Sequence, residues 1–138
     1  MTDACPLCGE REENLLWRDG NCRVILAADP DYAGFCRVIW NDHVKEMTDL
    51  PASARTHFME VVFVVEEVLR FLMRPDKVNL ASLGNQVPHL HWHVIPRFTD
   101  DAKFPDAIWA PPRRPGARRK ADVTAFAAAL SKRLGSKQ

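Results

Sequence analysis

"VPHLHWHVIPRF" (Val87–Phe98) sets a histidine at positions 89, 91 and 93 and interleaves them with Leu90, Trp92 and Val94. A strand sends alternate side chains to opposite faces, so this period predicts a strand with three histidines on one face and three bulky apolar residues on the other. The apolar set belongs in a core, and the histidine set faces a cleft. The chain holds only five histidines, the others being His43 and His57, so this is no histidine-rich tract. Same-face residues on a strand lie about 6.6 Å apart, which puts the outer pair roughly 13 Å apart at the backbone. Zinc holds its nitrogen ligands at about 2.0–2.1 Å. Two neighbouring histidines can converge on one ion and three on a regular strand cannot, so the three are expected to divide their labour.

Outward from this strand, "KVNLASLG" reads as its partner, joined through "GNQVP". Near the amino terminus, "LLWRD" and "CRVILAA" are strands separated by a Gly-Asn turn signal, and "FCRVIW" is a further strand after the loop "ADPDYAG". A long helix follows "TDLP", with Asp49 as cap and Pro51 in the first turn, and Pro75 ends it. Phe58, Val61, Val62, Val65, Leu69 and Leu72 recur at helical spacing as one buried stripe. Phe63, Val64, Val68 and Phe71 widen the apolar surface beyond that stripe, which points to a subunit interface and a two-fold homodimer. "ADVTAFAAALSKRL" carries a weaker helical period. The expected class is α+β: an antiparallel sheet of about five strands, one long helix and a carboxy-terminal helical tail.

The length suits one domain with a sizeable core. The net charge of +1 hides an asymmetry: residues 113–138 hold eight Lys/Arg against Asp122 alone, or +7, leaving −6 on residues 1–112. The domain is accordingly expected over 1–112, with 113–138 a basic, partly helical tail that "PPRRPGARRK" opens as a proline-broken linker. Charge alone is thin support for nucleic-acid binding. No apolar run is long enough for a membrane span, because Glu66, Glu67 and Arg70 interrupt the most apolar stretch. The first ten residues lack the basic and apolar regions of an export signal, so a cytoplasmic protein with reduced thiols is expected. "CPLC" at 5–8 is then a redox pair, half of a zinc site or chance. Cys22 and Cys36 read as buried strand residues.

His89-Leu90-His91-Trp92-His93-Val94-Ile95 matches at every position the alternating pattern of the histidine triad, and the chain resembles the HIT (histidine triad) superfamily of nucleotide hydrolases and transferases. "FCRVIWNDHVKEMTDLP" and "KVNLASLGNQVPHLHWHVIPR" extend the similarity over roughly residues 5–110. The resemblance implies that His91 attacks the α-phosphorus of a nucleotide ester, anhydride or phosphoramidate to form a nucleotidyl-histidine that water resolves. It implies that a backbone carbonyl orients His91 and that His93 contacts phosphate or the leaving group. Asn79 and Gln86 fall where the family places polar side chains around phosphate, and no metal is required for the step. The family's ribose-binding acid has Ala27 near its place, with Asp29 as a displaced candidate. Gly34-Phe35 stands where Gly-His is usual, which removes a polar partner from the site, and Ile39-Trp40-Asn41 replaces Ile-Pro-Lys. Bacterial members that begin with a cysteine pair imply a structural zinc on Cys5, Cys8, His43 and His89. A binding module with the same fold and little turnover is the alternative.

Overall fold

The structure, a computed structural model, describes residues 5–9 and 14–135. Strands β1 (Asn14–Arg18), β2 (Cys22–Leu26), β3 (Cys36–Trp40), β4 (Lys77–Ala81) and β5 (His91–Arg97) make one antiparallel sheet in the order β1-β2-β3-β5-β4. The expected α+β class and five-stranded antiparallel sheet are both present. A 3-10 turn over Met47–Asp49 leads into α1 (Ala52–Met73), and α2 (Val123–Leu134) lies near the carboxy terminus.

Strand alternation divides the sheet into two working faces. Cys22, Val24, Leu26, Cys36, Val38, Trp40 and Val94 share a core with Phe58, Val61, Val62, Val65 and Leu69 of α1. Both strand cysteines are fully buried, and burial pushes the Cys36 thiol up to about 12. On the other face Phe35 and Ile95 form a smaller cluster with Tyr32 and Ile108, so the loop after β5 folds back over the sheet. β3 and β5 pair Ile39 with His91 and Arg37 with His93. That register decides which side chains flank the histidines.

Two expectations about the helices need correction. Asp49 does not cap α1: its carboxylate accepts the backbone N–H of Lys45 at 3.3 Å and of Glu46 at 3.0 Å, and Pro51 occupies the cap position. A proline there is tolerated because the first helical N–H groups have no partner inside the helix. Val64 and Val68, read as part of a subunit interface, are buried within the chain in the same core as Phe126 and Leu130 of α2. Only Phe63 and Phe71 remain exposed, at 47% and 75%.

The basic segment that the sequence presented as a solvated linker is anchored. Arg113 pairs with Asp106 at 2.8 Å, and Arg114 donates to the carbonyls of Asp101 and Phe104 at 2.6 and 2.8 Å. Arg119 pairs with Asp100 and lies 3.6 Å above the Phe98 ring. A Cβ on Gly116 would come within 2.8 Å of the Ala102 nitrogen, so glycine permits this close approach. Asp122 then caps α2 by accepting from the Ala125 N–H at 3.1 Å, and the helix buries Phe126 and Leu130. Apolar burial decided the position of this segment; its charges were absorbed by local carboxylates and carbonyls.

Candidate active site

Backbone pairing separates the three histidines. The Trp40 N–H donates to the Leu90 carbonyl at 3.1 Å and the Leu90 N–H to the Val44 carbonyl at 2.8 Å, clamping residues 40–44 against 89–90. Regular β5 begins only at His91. His89 therefore lies just before the regular strand, and its ring is fully buried beside His43. His91 and His93 line one cavity, and His89 stands with His43 and Cys5. Leu90 and Val94 enter the core, and Trp92 packs against it.

His91 is held in one tautomer. Its Nδ1 lies 2.5 Å from the His89 carbonyl, and a carbonyl can only accept, so Nδ1 carries the proton and Nε2 keeps its lone pair. Ser82 Oγ donates to the His91 carbonyl at 2.8 Å, which fixes the main chain at the same residue. Burial lowers the His91 pKa; the bond to the His89 carbonyl works against that, and the Arg37 charge adds to it. The imidazole is neutral near neutral pH, the form a nucleophile needs.

Among the described residues His93 has no such orienting bond: its buried Nδ1 finds no hydrogen-bond partner there, and Phe35 lies edge-on to its ring at 5.5 Å. Burial, then His91, then Arg37 bring the His93 pKa down to about 4. His91 also stands edge-on to His93 at 4.9 Å, and Trp109 at 5.3 Å. His91, His93 and Trp109 line a cavity of about 540 Å³ together with Arg37, Gln86 and Asn85. Trp109 and Arg37 were not identified from the sequence. Trp109 lies in "FPDAIWAPP", which carries no periodic signal, whereas Arg37 was visible as the one charge inside "FCRVIW".

The far end of β5 is braced by a buried ion pair. Arg97 meets Asp101 through two bonds of 2.9 and 3.0 Å, both side chains being 2% exposed, and donates to Asn79 Oδ1 at 2.8 Å. Asn79 is thereby drawn to Arg97 and stands off the cavity lining, while Gln86 lies on it. Burial alone would raise the Asp101 pKa, but Arg97 and the N–H groups of Phe98 and Lys103 outweigh it and hold the carboxyl at about 2. Asp101→Asn leaves a buried guanidinium half-paired and is expected to cost about 3–5 kcal/mol, measured by urea unfolding at neutral pH. The Asp101 contribution is present above the unfolded carboxyl pKa of about 3.9 and is lost as pH falls through the folded value. Equal stability of mutant and wild type at pH 7 would remove the brace.

The second cluster is built from Cys5, Cys8, His43 and His89, whose donor atoms all lie within 4.8 Å of one another. Cys8 Sγ is 3.1 Å from His43 Nδ1 and 3.5 Å from His89 Nδ1; Cys5 Sγ is 3.4 Å from His89 Nδ1, and the two Nδ1 atoms are 3.2 Å apart. Tetrahedral zinc, with bonds of about 2.0–2.1 Å to nitrogen and 2.3 Å to sulfur, requires donors roughly 3.3–3.8 Å apart. The donor set fits that ion in chemistry and in spacing. His89 is also in the required tautomer: Nε2 donates to the Trp40 carbonyl at 2.6 Å, which leaves Nδ1 unprotonated toward the cluster. Arg23 donates to the Leu7 carbonyl at 3.2 Å and holds the cysteine turn against β2. Pro6 and Leu7 of that turn also line the cavity of His91 and His93.

The remaining candidates are more peripheral. Asp29 accepts from the Asp31 N–H at 3.0 Å in a tight turn, and its charge acts on Arg37. His57, expected as a surface residue without a role, pairs with Asp19 at 2.7 Å and ties α1 to the β1–β2 turn.

The HIT domain family model matches residues 8–100. An uncharacterized HIT-like protein of Methanocaldococcus jannaschii is 26% identical over 108 residues, covering 72% of this chain and 83% of its own. The crystal structure of a histidine triad protein from Bradyrhizobium japonicum superposes with a TM-score of 0.73 at 26% identity, over 94% of this chain and 99% of that one. A zinc-bound histidine triad family protein from Mycobacterium smegmatis shares the fold with a TM-score of 0.68 at 23% identity, over 96% of both chains. Among the described residues no helix is long and apolar enough to cross a membrane.

Proposed function

The chain belongs to the HIT domain family, and from that premise we propose that it is a nucleotide hydrolase or nucleotidyl transferase that works through a covalent nucleotidyl-histidine on His91. The observation that carries this is the tautomer of His91: Nδ1–H is committed to the His89 carbonyl, and the side chain lines the cavity with Nε2 free to attack. Nε2 forms a bond to the α-phosphorus, and the bond to the leaving group breaks. Water then attacks the same phosphorus, the P–N bond breaks, and nucleoside monophosphate leaves as His91 returns to its neutral form. His93, on the same face one alternation along, meets the phosphate oxygens or the leaving group, and Gln86 lies within the same cavity. Substrates of this class include nucleoside phosphoramidates and dinucleoside polyphosphates. Hydrolysis in ¹⁸O-labelled water should place the label on the nucleoside monophosphate; label only on the departing fragment would exclude attack at the α-phosphorus.

One observation favours the alternative, a nucleotide- or partner-binding module with little turnover. His93 Nδ1 is buried without a partner among the described residues, so the ring is less firmly oriented than His91. Wild-type protein that binds nucleotides but turns over neither nucleoside phosphoramidates nor dinucleoside polyphosphates would establish that alternative.

The four-residue cluster supports a structural zinc, since all four positions would be filled by protein and none left open for water. No step at His91 depends on it. A cytoplasmic, reducing setting suits four free thiols. The homodimer is proposed through the exposed Phe63 and Phe71 of α1, and a monomeric mass at micromolar concentration would remove it.

A further inference from the structure

Among the described residues Arg37 is the one cation on the cavity wall, and none of them puts a carboxylate there. Its guanidinium lies 5.1 Å from the centre of the Phe35 ring, which holds the charge in place from one side. Among the described residues it forms no hydrogen bond and no ion pair; Asp29 acts on it only through space. A half-buried guanidinium without acceptors is costly unless an anion completes it, and its planar fork matches phosphate oxygens in pairs. The register then says which anion. Arg37 stands across from His93, whereas the nucleophile His91 stands across from Ile39. The base of the Arg37 side chain is thus displaced by two residues, roughly 6.6 Å, along the sheet from the attacking residue. The phosphate under attack has His91 and His93 to face, and the charge at Arg37 belongs to a group beside it.

Resting on the nucleotide reading above, we propose that Arg37 binds a second phosphate of the substrate, so that the preferred ligand carries two phosphoryl groups rather than one. The second group is either the next phosphate along the chain or one on the ribose. A neutral side chain in place of Arg37 would remove the one fixed positive charge that the described residues place on the cavity. The same arginine was not among the residues expected from the histidine pattern, because the triad motif lies wholly on β5 while Arg37 enters from β3.

The test is calorimetric titration of the full chain, as purified with its metal, with AMP, ADP and adenosine 3′,5′-bisphosphate. Wild type should hold at least one two-phosphate ligand about tenfold or more tightly than AMP, the range of a charge-assisted hydrogen bond. Preference for ADP assigns the second phosphate to the chain, and preference for the bisphosphate assigns it to the ribose. In Arg37→Met, which keeps the apolar stem against Phe35, the preference should collapse toward one. Arg37→Lys, which keeps the charge and loses the fork, should fall between the two and serves if the methionine variant does not fold. Equal wild-type affinity for all three ligands would overturn the proposal while leaving the nucleotide reading intact. So would a uniform loss for all three in both variants, since that is the mark of a purely structural arginine. Absence of binding by any of the three would overturn the nucleotide reading, and this proposal with it.

Discussion

His91→Ala is expected to reduce nucleotide hydrolysis by about four orders of magnitude or more, as removal of a covalent nucleophile does elsewhere. The fold should survive. The ring lies on the cavity side of β5, opposite the residues that fill the main core, and its one assigned hydrogen bond is to the adjacent main chain. Circular dichroism and thermal melting separate loss of chemistry from loss of structure. Wild-type turnover in the folded variant would place the nucleophile elsewhere. The pH profile carries a matching signature. Burial lowers both His91 and His93 from the ordinary 6.5, His93 to about 4, so the neutral nucleophile persists into mildly acidic solution. The acid limb of kcat/KM should therefore fall below pH 6.5. The sign for stability follows from the same shift. Between about 6.5 and 4 the unfolded His93 takes up a proton that the folded one refuses, so this contribution is lost as pH falls through that window.

Purified protein should carry about one zinc per chain, and Cys5→Ser should lose it. A zinc held only by the folded arrangement of Cys5, Cys8, His43 and His89 would add its binding free energy to stability. The fold also has a full hydrophobic core, so the domain should not unfold outright without the ion. A loss of a few kcal/mol, seen as a melting temperature lower by roughly ten degrees, is the expected scale. Two connections tie this cluster to the cleft. The carbonyl of His89 orients His91, and Pro6 and Leu7 of the cysteine turn form part of the cavity wall. Metal removal should therefore weaken nucleotide binding as well as stability. Protein free of metal after expression with ample zinc and no chelator would remove the centre from consideration.

The sheet and the long helix were legible because their periods are strong. Alternation placed β5, short segments beside turn and loop signals placed the other strands, and the stripe from Phe58 to Leu69 fixed the buried face of α1. The carboxy-terminal segment was not legible in the same way. Its prolines and arginines read as solvent-facing, yet Phe126 and Leu130 of α2 cover Val64 and Val68, a long-range contact that no local pattern announces. The candidate site divides along the same line. His91 and His93 follow from alternation, and Gln86 from the resemblance to the histidine triad family. The place of His89 beside His43 depends on the pairing of residues 40–44 with 89–90, a contact with another segment that the alternation does not contain. Asn79 was placed by Arg97 and Asp101, which the histidine pattern does not contain. Arg37 was visible as a charge in an apolar strand, but only the register of β3 on β5 reveals that it faces His93.

The central claim is a covalent intermediate on His91. Mixing wild-type protein with a nucleoside phosphoramidate, quenching in alkali within the first turnover and measuring intact and peptide masses tests it most directly. A gain of one nucleoside monophosphoryl group on the peptide containing His91, absent in His91→Ala, is the expected result. Turnover by wild type with no such adduct, or with the adduct on another residue, would contradict it.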